Sequence, residues 1–131
     1  MHRILRPATA VALTAGLLAV TVPAAMAKDG DVRRSGTCSA NSTWKLKASP
    51  ENGSIQVEAE VDSNVVGQSW SVVLRDNGVR VFAGTRITLA PSGSFSVNRV
   101  IANALGDDVI ALRATNAATG EVCSGRLTFT G

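Results

Sequence analysis

The chain has 131 residues, with 13 Lys and Arg against 10 Asp and Glu, a formal charge of +3, two Cys, one His and no Tyr. The one His, His2, sits at the start of an apolar leader. A Ser-His-Asp triad, a His-assisted cysteine nucleophile and a His-ligated zinc site are therefore excluded from the rest of the chain.

Residues 1–27 read as a secretory signal peptide. His2, Arg3 and Arg6 form a basic n-region, residues 8–22 an apolar h-region, and Ala25-Met26-Ala27 a small-residue cleavage motif. The apolar run is short for a membrane span, and Pro23 interrupts it. No Cys follows it directly to carry a lipid, and no second apolar span or LPxTG-type sorting signal occurs. The expected product is a secreted, extracellular chain cleaved after Ala27, 131 − 27 = 104 residues long, with no membrane attachment. Its charge falls to +3 − 2 = +1 as Arg3 and Arg6 leave, so bulk charge gives no support to nucleic-acid binding. One domain of this size buries roughly two-thirds of its unfolded surface.

Residues 28–42, polar and with Asp29, Asp31, Arg33 and Arg34 interspersed, read as a flexible leader fixed only at Cys38. The domain proper is expected over residues 43–131. Residues 43–49 alternate, with Trp44, Leu46 and Ala48 on one face and Lys45 and Lys47 on the other. Pro50-Glu51-Asn52-Gly53 is turn chemistry, and residues 54–62 form the cleanest strand, Ile55, Val57, Ala59 and Val61 inward.

Residues 68–84 read as a β-hairpin. Trp70, Val72 and Leu74 share its core face, and Asn77-Gly78 supplies the two positive-φ residues of a type I′ turn. That register sets Leu74 against Val81 and Val72 against Ala83, with Phe82 on the outer face beside Val73. A short strand follows at 86–89, then a strand at 94–101 with Phe95 and Val97 in phase. Residues 108–115 are apolar on both faces, as in a central strand or one covered at an edge. Residues 122–130 close the chain, with Cys123, Leu127 and Phe129 on one face. Cys38 and Cys123 both lie in the exported part, and an even count there predicts a disulfide. Closing an 85-residue loop contributes about 4–5 kcal/mol in the chain-entropy model.

Seven or eight short strands with regular turn signals and no helical period predict an all-β fold, a sandwich of antiparallel strands. The succession Trp70-x-Val72, Asp76-Asn77-Gly78, Ser92-Gly93-Ser94-Phe95-Ser96-Val97, the run from Gly106 to Asn116 and Thr119-Gly120 resembles bacterial immunoglobulin-like domains. The chain as a whole is similar to small exported actinobacterial proteins of unknown function. The resemblance implies an immunoglobulin-like β-sandwich and a bacterial source. Two departures from antibody-type domains stand out: no Tyr is present for a tyrosine corner, and the cysteines join the chain ends.

No catalytic residue and no cofactor is expected. Asp107-Asp108 reads as a turn with a solvated acid, its two side chains pointing apart. A weak calcium site, pairing one of them with Asp62 or Asn64, is the sharper alternative. Arg75 and Arg80 are expected as cross-strand neighbours on the outer face: either their side chains splay and Asp76 or Glu58 relieves the repulsion, or with Arg86 nearby they form an anion-binding patch suited to phosphate- or carboxylate-bearing cell-wall polymers. Trp44 and Trp70 are expected in the core. The functional expectation is a secreted, monomeric, non-enzymatic binding module, its partner an extracellular protein or a cell-wall polymer. Loops 63–67, 102–107 and 116–120 are its natural variable surfaces. The alternative is a secreted inhibitor of a protease or glycosidase.

Overall fold

The structure, a computed structural model, describes residues 30–131. The signal-peptide reading of residues 1–27 lies outside the described residues. Eight antiparallel strands form two four-stranded sheets packed as a β-sandwich. One sheet has the order β1 (Val32–Thr37), β2 (Thr43–Glu51), β3 (Ser54–Asp62), β6 (Ser94–Ala102). The other has the order β5 (Val79–Ile87), β4 (Ser69–Asp76), β7 (Asp107–Asn116), β8 (Val122–Thr130). Thus β6 returns past the β4–β5 hairpin to pair with β3, and β7 crosses back to pair with β4. The edge strands meet across the two sides of the sandwich, β1 against β8 and β5 against β6.

Period-two alternation builds the core. On β3 every second residue from Ile55 to Val61 is essentially inaccessible, and on β7 Ile110, Leu112 and Ala114 are the same. Trp44 and Trp70 are both buried, and Trp70 leans on Phe95 with ring centroids 6.3 Å apart. Side chains of this size each contribute on the order of 1.5–3 kcal/mol by leaving water. Gly125 on β8 leaves room for the Trp44 indole, into which any Cβ there would run. β7 is an inner strand, but only one of its two apolar faces is buried; on the other, Arg113 is exposed.

The disulfide joins Cys38 to Cys123, pinning the corner after β1 to the fully buried face of β8. Beside it, the Glu121 carboxylate accepts hydrogen bonds from the Ala40 and Ser42 amides and the Ser42 hydroxyl.

Three sequence expectations are corrected. Residues 28–42 were expected as a flexible leader, yet Val32–Thr37 is strand β1, paired with β2 from Val32 opposite Ala48 to Thr37 opposite Thr43. Its outer edge faces solvent, so it needs no apolar alternation; Gly36 lies flat beneath Trp44, where a Cβ would come within 2.9 Å of Nε1. The separate strand expected at 86–89 is instead the end of β5, after which Leu89 makes only an isolated bridge to Ser94.

The third correction is the hairpin. Asn77 and Gly78 do form its two-residue turn, with φ of 51° and 85°. A β-bulge then shifts the register between Leu74 and Arg75, so Leu74 faces Phe82 and Val72 faces Gly84. Phe82 therefore turns into the core, and Ala83 turns out. One extra residue in a strand exchanges its two faces.

Candidate functional site

The outer face of the β5-β4-β7-β8 sheet carries arginine with little acid. Arg80 lies opposite Arg75, Arg75 opposite Ala111, and Ala111 opposite Arg126, so one row crosses all four strands. In the adjacent row, Val73 lies opposite Arg113 and Arg113 opposite Ser124. Alternation with the buried residues Leu74, Leu112 and Leu127 points Arg75, Arg113 and Arg126 outward, and Arg80 follows through its pairing with Arg75. Arg80, Arg113 and Arg126 are exposed and Arg75 is half-buried. None of the four guanidiniums makes a hydrogen bond or ion pair within the described residues. The acid of this face, Asp107, begins β7 two rows beyond, roughly 13 Å along the strand.

The opposite sheet treats its charges differently. On its outer face Lys45 opposes Glu60 and Lys47 opposes Glu58, with ion pairs of 3.9 and 3.7 Å, and Arg33 pairs with Asp31 at 3.6 Å. Arg33, Lys45, Lys47, Glu58 and Glu60 line an open groove of about 510 Å³ together with Arg34, whose guanidinium donates to the Arg33 carbonyl; both glutamates of this groove are already paired with lysine. The tetra-arginine face has no such matching, and like charges set directly opposite are locally unfavourable.

Arg86 was expected to join Arg75 and Arg80. The bulge separates them: Arg86 lies opposite Trp70, on the core side of β5. There its guanidinium sits 4.9 Å from the Phe82 ring centroid, and Arg99 of β6 approaches the same ring to 5.0 Å. The two arginines cover the ring where the edges of the two sheets meet, a cation–π arrangement that seals the seam. Arg113 and Arg126 were missed as members of the outer face. Their place depends on the β4–β7 and β7–β8 registers, which nothing local in the sequence announces.

A carboxyl pair lies at one end of the sandwich. Asp107 and Asp108 do point apart, but Asp108 is wholly buried, and both its oxygens accept from the Ala104 amide at 3.2 Å. Facing it is Asp76, the last residue of β4. Burial first, then the hydrogen bond and the charge of Asp108, push the Asp76 pKa up to about 6. The calcium alternative finds no support in this arrangement. Asp62 accepts from the Asn64 amide near the start of β4, a strand's length of roughly 20 Å from Asp108. Among the described residues no group of three His, Cys, Asp or Glu is placed to hold a metal.

The three loops expected as variable surfaces do not share one end. Loops 63–67 and 116–120 flank the start of β4, the latter through the Ala117 amide to the Ser69 carbonyl, whereas 102–107 lies by the Asn77 turn. Comparison with protein-family models, with curated proteins and with solved structures found no match for this chain.

Proposed function

We propose that the chain is an exported, non-catalytic, immunoglobulin-like binding module that engages an anionic polymer of the cell envelope through the outer face of β5-β4-β7-β8. The observation that carries the reading is the contrast between the two outer faces: matched ion pairs on one, four unmatched arginines on the other. Guanidinium groups bind phosphate and carboxylate bidentately, and a cluster of them left without acid partners is suited to an external anion. The immunoglobulin-like assignment draws support from the strand arrangement and from a buried Trp on β4, the strand beside the central β7. The disulfide fits an oxidising compartment.

The test is depletion of the oxidised protein from solution by insoluble bacterial cell wall over a salt series. Depletion that fades as salt rises, and that drops about tenfold or more for Arg75→Ala with Arg80→Ala, is the expected result. Absence of depletion at any salt would remove the reading.

A second reading has one observation in its favour. Leu105 is fully exposed on a loop whose Ala104 amide is held by the buried Asp108, a presentation suited to an inhibitor's primary side chain. Slowing of a secreted protease or glycosidase that disappears with Leu105→Gly would favour it.

A further inference from the structure

The register sets the four arginines in a continuous run across the sheet, which two anionic groups can share as two pairs. Arg75 and Arg80 lie directly opposite on adjacent strands, which puts their Cβ atoms about 5 Å apart. Arg113 on β7 is a diagonal neighbour of Arg126 on β8 and equally of Arg75 on β4, with Cβ atoms about 7–8 Å apart in each case; with Arg75 and Arg80 sharing one anion, Arg113 and Arg126 are left to share the second. Neither spacing leaves room for an acid between the partners, and both allow two guanidiniums to converge on one oxyanion. The midpoints of the pairs are two strand spacings apart, roughly 10 Å. Ala111 lies in the row between them and Val73 beside it, so no long side chain stands in the path across the sheet.

From this geometry we propose that the face is a bivalent oxyanion site, its ligand a linear polyanion laid across the strands, one anionic group in each arginine pair. The inference rests on the reading of this face as the binding surface and specifies what it binds. A single small anion occupies one pair at a time and gains nothing from the other. A polymer held at the first pair meets the second at high effective concentration, which raises affinity by a factor of 10² to 10⁴ with no new type of contact. β4 and β7 are the inner strands of the sheet, so the spacing between the pairs is fixed before the ligand arrives. The chemistry required is an oxyanion repeated along a chain, met equally by phosphate and by uronate polymers.

The experiment titrates the full chain, by calorimetry at low salt, with orthophosphate, with linear polyphosphates of increasing length and with polygalacturonate. Orthophosphate is expected to bind weakly at two sites. Polyphosphate is expected to bind at least about 100-fold tighter once it is long enough to reach both pairs. Arg113→Ala with Arg126→Ala should reduce orthophosphate to one site and abolish the dependence on length, and Arg75→Ala with Arg80→Ala should do the same. Polygalacturonate binding that needs both pairs assigns the face to carboxylate polymers, and its failure beside polyphosphate success assigns it to phosphate polymers. Affinity independent of length, but lowered by either double substitution, overturns the bivalent site and leaves the anion-binding function standing. If no substitution alters binding of any of the three anions, both fall. Among the described residues the four side chains make no hydrogen bond or ion pair, and Arg75 and Arg80 repel, so no variant should melt well below the wild type, which separates a lost site from a lost structure.

Discussion

Asp76 shows how one residue can tie stability to pH. Its ionised form is disfavoured in the folded chain by burial and by Asp108, so its pKa there is about 6 against an ordinary 3.8. Between those values the unfolded chain has released the proton and the folded chain still holds it. Stability therefore falls as pH rises through this window and settles at a lower level above about pH 6. Asp76→Asn should remove the slope and raise stability at pH 7 by an amount on the order of 1–2 kcal/mol once solvent screening is allowed for, and with it the melting temperature. Thermal melts of both proteins between pH 4 and pH 7.5 check this; parallel curves would show that the pair does not carry the effect. This residue was not legible as part of a site. Asp76-Asn77-Gly78 reads as a turn signal, and the turn is there, but Asp108, its partner, lies 32 positions further along the chain.

At the scale of elements, strands whose two faces differ in burial were readable, and strands held by other means were not. β3 and β8 run over the residues expected because alternation sets their phase from end to end. β1 has no such pattern: its register comes from hydrogen bonds to β2 and from the disulfide beside it. The bulge on β5 is hidden for a different reason. Val81 and Phe82 are both apolar, so either satisfies a core position, and only packing against Leu74 and the Arg86 and Arg99 guanidiniums selects Phe82. Phe82→Ala is the measurement that separates the two phases. In the structure's register it should cost about 3 kcal/mol, as for a buried ring, and loosen the β5–β6 seam. A ring on the outer face would cost a fraction of that, which denaturant unfolding resolves readily. The same bulge explains the split of the arginine patch: Arg75 and Arg80, before it, remain neighbours, while Arg86, after it, changes sides.

For the molecule as a whole, closure depends on a bond between its ends. Cys38–Cys123 holds the β1–β2 corner to β8, where the Glu121 carboxylate ties the same two loops through three hydrogen bonds. Reduction, or Cys38→Ala with Cys123→Ala, should lower stability by about 2–5 kcal/mol, and β1 should be the first segment to lose amide protection in hydrogen exchange. Protection of β1 that survives reduction would show that its pairing with β2 suffices. The two-sheet architecture could be inferred from the number and spacing of strands. Which outward residues share a patch could not, since that is decided by pairings between segments far apart in the chain.

The unequal treatment of charge on the two outer faces gives the particle a direction. The part expected to remain after export carries a net charge of only +1, yet four guanidiniums stand together on one side while the other side is internally neutralised. Such a body has a large electric dipole moment along the axis through both sheets. Near a negatively charged wall the torque on that dipole acts before contact does, turning the arginine side forward. Its isoelectric behaviour and its adsorption should accordingly disagree, and a cation-exchange surface should retain it more strongly than its overall charge would suggest.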